Sequence, residues 1–331
     1  MFNFEQVKQG HFHILISRTD AIGDVVLTLP VCGYLKSRFP EVTISFLGRT
    51  YTAPVINACT AVDYFINYDE LSALSKTEQI EALQIKNFDA VIHIFPNKHV
   101  AHLTKAAGIK WRIGTTNRFF HWFTCNKLVK LSRKNSDLHE AQLNMALLKP
   151  FGIPILPLKD VHKFYAFEPD ANIPFSIAHV LKKDKFNLII HPKSHGSGAE
   201  WPLDKYSELF KLLSPAINII ITGSEKERAL LQYWITEQPI GINDLTGKLN
   251  LTELLTLIKL SDGLVAAGTG PLHVAAATGI NTLGLFPRTR PIHPGRWAPI
   301  GARAQYLESN NGTLNNIHPA SAAAIINNWI K

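Results

Sequence analysis

What the chain has little of already removes several classes of protein. Its 331 residues hold three cysteines, Cys32, Cys59 and Cys125, scattered and without a CxxC spacing. Neither a disulfide framework nor a cysteine-based zinc site is expected, and reduced buried thiols are the plain reading. No apolar run reaches the ~18–20 residues of a membrane span. The opening MFNFEQVKQGHFHILIS carries an acid early and lacks an apolar segment of signal-peptide type, which points to a cytoplasmic protein. There is no GxxxxGK[ST], no GxGxxG after the first strand pattern and no HExxH. A P-loop, a dinucleotide fingerprint and a zinc-protease site are therefore not expected, and neither a metal nor a cofactor is assigned.

What is present is a globular composition, 46% hydrophobic and 18% charged, at a length that suits two domains. Short apolar runs alternate with helical patterns throughout. In the first half FHILIS, TISFLGR, AVIHIFP and WRIGTT read as strands. DVVLTLPVCGYLKSRFP reads as one helix with Pro30 in its first turns and Pro40 at its end, followed later by the helices IEALQIKNFD and VAHLTKAAGI. In the second half FNLIIHP, INIIITG, NDLTGKL, DGLVAAG and NTLGLFP read as strands, NTLGLFP being the last. PLDKYSELFKLLSP, SEKERALLQYWITE, NLTELLTLIKLS and PLHVAAATGI lie between them as helices. Continuous apolar strands separated by helices indicate parallel sheets covered on both faces. The fold class is α/β: two Rossmann-like, doubly wound domains, 1–168 and 169–318, a linker near 164–180, and a final helix in 319–331.

In such sheets ligands bind beyond the carboxyl ends of the strands, so the residues just after strands carry the argument. After the first strand, SRTDAIGD offers Asp20 and Asp24 as possible helix caps, and Asp24 as a cap or a catalytic base. After DGLVAA, GTGPLHVAAATG turns through Gly268, Thr269 and Gly270 into a helix whose free N–H groups and dipole favour an anion. Pro271 suits the first turn and His273 could aim its ring at the same anion, although a plain Thr-capped turn would carry the same letters. After FNLIIHP, the loop KSHGSGAEWP gathers Lys193, Ser194, His195 and Ser197, with lysine suited to phosphate. After INIIITG, Glu225 or Glu227 could accept hydrogen bonds from a sugar hydroxyl or a base amino group, or only complement the helix dipole. After NTLGLFP, the loop packs Arg288, Arg290, His293 and Arg296 among prolines and glycines, a set suited to phosphate or carboxylate. Together these loops imply a nucleotide-type donor.

Taken in order, AIGDVVLTLP, HPKSHGSGAEWPLDKYSEL, ITGSEKE, GTGPLHVAAATG and LGLFPRTRPIHPGRWAPIG resemble the heptosyltransferases of glycosyltransferase family 9. The resemblance implies the GT-B fold, two Rossmann-like domains facing a cleft, with the C-terminal helix crossing back to the first domain. It also implies an inverting, metal-independent transfer of heptose from ADP-heptose to a lipopolysaccharide core. By position it makes Asp24 the catalytic base and Lys193, Ser194, Glu225, Thr269, Gly270, Pro271 and His273 donor-binding residues. Arg18, Gly23, Arg288, Arg290 and Arg296 are assigned to acceptor or phosphate binding; Asp20 matches no role. The chain departs from many members at Gly268, where they have Asp, and at Ala199–Glu200, where they have a cation.

The net charge of +8 divides as +6 over residues 1–165 and +2 over 166–331, and nine Lys/Arg but no Asp/Glu lie between Lys98 and Lys134. Interleaved with these cations are Trp111, Phe119, Phe120, Trp122 and Phe123. This block is expected to meet an anionic glycolipid acceptor and the inner face of the inner membrane. Nucleic acid is not an expected partner, since no recognition motif accompanies the charge. Two other classes stay open: a GT-B-like nucleotide-sugar epimerase and a non-catalytic nucleotide- or glycan-binding protein.

Overall fold

Each half of the chain builds one six-stranded sheet in which all neighbouring strands run parallel, in a computed structural model that describes residues 12–194, 196, 198–238 and 241–330. The chain divides into two compact units, residues 1–168 and 169–331. In the first unit the strands are β1 (His13–Ser17), β2 (Thr43–Gly48), β3 (Tyr64–Asn67), β4 (Ala90–His93), β5 (Trp111–Thr115) and β6 (Lys127–Val129), in the order β3-β2-β1-β4-β5-β6. Its helices include α1 (Ile22–Val26), α2 (Leu29–Arg38), α3 (Lys76–Gln84), α4 (Lys98–Ala106), α5 (His121–Thr124) and α6 (Glu140–Met145).

The second unit repeats the plan. Its strands are β7 (Phe186–His191), β8 (Ile217–Ile221), β9 (Asn243–Asp244), β10 (Gly263–Ala267), β11 (Asn281–Pro287) and β12 (Ala304–Ser309), in the order β12-β11-β10-β7-β8-β9. Its longer helices are α7 (Leu203–Leu212), α8 (Glu225–Thr236), α9 (Leu251–Leu260), α10 (Gly270–Thr278) and α11 (Pro319–Asn328). In both sheets the first strand lies centrally beside the fourth, so the direction of winding reverses between β1 and β4 and again between β7 and β10. A crevice opens at such a reversal beyond the carboxyl ends of the two strands, and it is the standing ligand position of this architecture.

Burial explains which strands the sequence pattern reveals. β1, β2, β4, β7, β10 and β11 are buried along nearly their whole length and read as apolar runs. The edge strands β3, β6 and β12 alternate buried with half-exposed or exposed positions and escape that test. The chain therefore does not end its sheet at NTLGLFP: β12 adds a further parallel strand beside β11.

One helical expectation needs correction. DVVLTLPVCGYLKSRFP is not one helix but α1 and α2, broken at Leu27–Thr28. Pro30 has no N–H, and its ring would collide with the carbonyl of residue 26 in a continuous helix. The chain restarts with Thr28 as N-cap and Pro30 in the first turn. The released polar groups are caught locally, Thr28 Oγ1 donating to Asp24 O (2.8 Å) and Asn144 Nδ2 to Leu27 O (3.0 Å). The buried face of α11, Ala322, Ala323 and Ile326, belongs to the core of the second unit. There it packs on α7 and is pinned by Asn327, whose Oδ1 accepts from Ser214 N (3.0 Å) and whose Nδ2 donates to Leu212 O (3.0 Å).

Gly33 marks the closest backbone approach in the first unit. A Cβ built there would lie 2.0 Å from the carbonyl oxygen of Phe164. Gly33→Ala is expected to destabilise the first unit by about 1–3 kcal/mol through overpacking, read as a lower urea midpoint for its unfolding, whereas Gly108→Ala, with open space around its Cβ, serves as the control for backbone strain alone.

Candidate active site

The loop after β1 is organised by one buried guanidinium. Arg18, with its side chain 3% exposed, lies at the carboxyl end of β1. Its Nε donates to Asp20 Oδ1 (2.6 Å), its Nη2 to Asp24 Oδ1, and its Nη1 to Asn144 Oδ1 (3.1 Å) and Glu140 Oε1 (3.4 Å). Arg133 closes the cluster from the other side, donating through Nε to Glu140 Oε1 (2.9 Å) and through Nη2 to Asn144 Oδ1 (3.0 Å) and Ile94 O (3.0 Å). Ile94 directly follows β4, so Arg133 ties the loop beyond β4 to the cluster built on the loop beyond β1. Three carboxylates, those of Asp20, Asp24 and Glu140, thus face the two guanidiniums.

Within this cluster the acids differ in access. Glu140 is 1% exposed, whereas the Asp20 and Asp24 side chains keep 22% and 21% of their surface. Burial pushes the Asp24 carboxyl up to about 6; Arg18 pulls against that, and the charges of Asp20 and Glu140 reinforce it. Burial also raises Asp20, with Arg18 opposing. Arg18 itself stays firmly protonated: burial works against its charge, but Asp24, Asp20 and Glu140 together outweigh that.

These contacts change three readings from the sequence. Neither aspartate caps a helix, because the N-cap of α1 is Ala21 and Asp24 sits inside the first turn. Asp20 is no bystander, since it shares Arg18 with Asp24. Arg18 is not placed to bind a phosphate: its three nitrogens are already taken by internal acceptors, and it is buried. Gly23 is half-buried within α1, between these acids. Glu140 and Asn144 were absent from the sequence reading altogether. The signal for them is a spacing of four, which sets both on one face of a helix.

In the second unit the loops beyond β7 and β10 meet. A Cβ placed on Gly198 would lie 3.6 Å from Gly268 O. Thr269 is the N-cap of α10, but its side chain makes no capping bond; it is 5% exposed and its buried Oγ1 has no hydrogen-bond partner among the described residues. Gly270 and Pro271 form the first turn and His273, 3% exposed, lies within it. The absence of an aspartate at Gly268 has a steric reason here, since a Cβ would come within 2.9 Å of the Phe286 ring.

The departure at Glu200 also acquires a role. Lys193 Nζ donates to Glu200 Oε2 (2.8 Å), while Ser194 N (2.9 Å) and Ser194 Oγ (3.2 Å) donate to Oε1. Although burial raises it, these hydrogen bonds hold the Glu200 carboxyl below its ordinary value. Lys193 is thus a positioned, partly neutralised cation rather than a free point charge. His195 and Ser197 lie outside the described residues.

Glu225 and Glu227 separate cleanly. Glu227 is buried in a capping box, accepting from Ser224 N (2.7 Å) and Ser224 Oγ (2.9 Å). Glu225 is the exposed one, its side chain lying against Gly247. After β11, Arg288 and Arg290 are exposed and Arg296 stacks over the Trp297 ring at 4.9 Å.

An unpartnered hydroxyl nine-tenths buried at a helix N-terminus gives a discriminating prediction. Thr269→Val should leave thermal stability unchanged or higher, because a methyl replaces a buried hydroxyl that has no hydrogen-bond partner among the described residues. Affinity for a nucleotide diphosphate, read by calorimetry, should fall roughly tenfold or more, as expected for a lost hydrogen bond to a charged group.

The family model for Glycosyltransferase family 9 (heptosyltransferase) matches residues 77–324. The lipopolysaccharide core heptosyltransferase OpsX of Haemophilus influenzae is 25% identical over 316 residues, 90% of this chain and 85% of that protein. A glycosyl transferase family 9 structure from Veillonella parvula superposes with a TM-score of 0.80 at 18% identity, covering 98% of both chains. The E. coli heptosyltransferase WaaC with ADP superposes with a TM-score of 0.75 at 17% identity, covering 96% of this chain and 100% of that one. The chain belongs to glycosyltransferase family 9, the heptosyltransferases, and is a glycosyltransferase with the GT-B fold.

Proposed function

We propose that the protein transfers a heptose from ADP-heptose to a lipopolysaccharide core acceptor by direct, inverting displacement without a metal ion, with Asp24 as general base. The observation that carries this reading is Asp24 itself: a carboxylate one-fifth exposed, held by Arg18 beyond β1, with a pKa raised to about 6. Such a group is ionised at neutral pH and basic enough to accept a proton from a hydroxyl in the transition state. The OpsX relative named for the lipopolysaccharide core and the WaaC structure holding ADP support the choice of acceptor and donor.

The division of labour follows the two units. In the first, the acceptor hydroxyl loses its proton to Asp24 as its oxygen bonds to the anomeric carbon. In the second, the bond from that carbon to the diphosphate breaks and negative charge grows on the leaving oxygens. The free N–H groups at the start of α10, the Thr269 hydroxyl and Lys193 are fixed donors suited to that charge, without reorganisation at the moment of reaction. Glu225 is the exposed acid at the start of α8 and is proposed to accept from the nucleoside. Arg288, Arg290 and Arg296 are proposed to neutralise phosphate. Glu140 is too deeply buried to touch a sugar, and its proposed role is to hold Arg18 and Arg133 and to raise the Asp24 pKa by its charge.

The tests follow from the base. Asp24→Asn is expected to keep donor binding and lower turnover by about 10²–10⁴, while Asp20→Asn retains most of it. An Asp20→Asn enzyme as inactive as Asp24→Asn would reject the assignment between the two. Because the base works only when ionised, kcat/KM should fall as pH drops through about 6. Glu140→Gln removes a negative charge that raises the Asp24 pKa, so this acid limb should move to lower pH in the protein that folds. An unmoved limb would show that Asp24 is not the group being titrated.

A further inference from the structure

The basic, aromatic block of residues 98–134 is not absorbed by the sugar-transfer site, and the structure splits it. Arg112 turns inward, donating to Thr124 O (2.7 Å) and Ile109 O, and Arg133 belongs to the Asp24 cluster. Trp111 and Phe120 are half-buried, the Trp111 ring carrying Lys127 at 4.7 Å from its centroid. Three aromatics face outward instead: Phe119 is 79%, Trp122 60% and Phe123 59% exposed. They sit on one short segment around α5, with Phe119 and Phe123 edge to face at 5.0 Å.

This exposure is built, not incidental. α5 is anchored from beneath by His121, fully buried, whose Nδ1 accepts from Thr115 N (2.9 Å). A Cβ on Gly114 would lie 2.7 Å from both His121 Nδ1 and Cys125 Sγ, so the segment lies tight on β5. The polar end of Trp122 is satisfied, its Nε1 donating to Thr116 O (2.9 Å), which leaves its apolar rings to the outside. Cations accompany the aromatics, in a stretch of chain that holds no acid between Lys98 and Lys134. Lys105 Nζ donates to Phe123 O (2.8 Å), and Arg118 is exposed beside Phe119. Lys105 also lines a groove of about 480 Å³ between α3 and α4, together with Lys76, His99 and His102. Among the described residues the ion pairs of the first unit lie elsewhere, at Arg18, Lys36, Arg49, Arg133 and Lys163.

From this juxtaposition we infer that Phe119, Trp122 and Phe123 form a wedge that docks on an anionic lipid bilayer, with Lys105, Arg118 and the adjoining basic groove holding lipid phosphates. Exposed Trp and Phe settle at the level of lipid headgroups, and clustered Lys and Arg add electrostatic attraction to acidic lipids. Exposed aromatics beside a run of cations free of acids suit an anionic bilayer, which takes up both. The segment leaves the carboxyl end of β5, the side on which the Asp24 loop emerges from β1, and turns back along the sheet, Phe123 O meeting Lys105 at the end of α4 and Asn126 N donating to Arg112 O (3.1 Å). Docking by this face would bring the first unit to a lipid-borne acceptor; that purpose rests on the proposed acceptor, the docking itself does not.

The test is vesicle co-sedimentation of the full protein without donor or acceptor, so it can fail while the transfer reading stands. Wild type should bind vesicles of phosphatidylcholine mixed with phosphatidylglycerol, bind phosphatidylcholine alone weakly, and release as salt rises. Phe119→Ser/Phe123→Ser should lose roughly tenfold or more of that binding, as expected from withdrawing exposed aromatic surface from the interface; Lys105→Glu/Arg118→Glu should lose a similar factor on the acidic vesicles only. Donor-induced thermal shifts unchanged in all variants would confirm that folding and the second unit are intact. A blue shift of tryptophan emission on acidic vesicles, absent in Trp122→Phe, would locate the contact. Equal binding to both vesicle types, no binding, or binding unaffected by these variants would overturn the inference. So would a wild-type dimer that Phe119→Ser/Phe123→Ser converts to a monomer, since the patch would then be covered by a second copy.

Discussion

The arrangement of the first unit depends on a single buried cation. Arg18 enters the protein interior at the end of β1, and its charge is tolerable only because Asp20, Asp24 and Glu140 surround it. Removing one member of a buried ion cluster typically costs about 3–5 kcal/mol, because the remaining charge is left without compensation. The cluster fixes more than stability. It spans the loop after β1, the loop after β4 and α6, so it sets the position of the one carboxylate proposed to do chemistry and fixes its basicity at the same time. Asn144 extends the same network to the break between α1 and α2, with one amide serving two guanidiniums and the Leu27 carbonyl. The helix break made by Pro30 and the ionisation of Asp24 are therefore linked by shared hydrogen bonds.

The two units place different groups beyond the same strand order. In the first, the loops beside the central strand pair carry charged side chains; in the second, the corresponding loops carry glycines, a helix N-terminus and a hydroxyl without a partner among the described residues. Side-chain carboxylates suit the uptake of a proton, whereas backbone N–H groups, which cannot be protonated or moved, suit a diphosphate whose charge must be met on cue. Glycine at 198 and 268 lets the two loops of the second unit approach, and the Phe286 ring occupies the space that a longer residue at 268 would need.

Much of this was legible in the amino-acid order. Buried strands are apolar along their length whatever their neighbours, so β1, β4, β7, β10 and β11 announce themselves, and with them the loops that hold Asp24, Lys193 and Thr269. Edge strands such as β3 and β12 are half-solvated and carry no such signature. The order of GD, HPKS, TGSE and GTGPLH along the chain was enough to indicate the family. What sequence could not supply was partnership. Nothing local says that Arg18 is turned inward, that Asp20 shares it with Asp24, that Glu200 holds Lys193, or that Glu227 is a cap while Glu225 is left exposed. Those assignments involve residues brought together from separate elements, Arg18 with Glu140 across 122 positions in the chain, or depend on which rotamer a helix start allows. The sequence alone determined where strands end and which residue types stand there, because burial and turn chemistry act locally. Only the tertiary structure decided which charges neutralise one another and which remain exposed, because that depends on distance and desolvation in the folded chain.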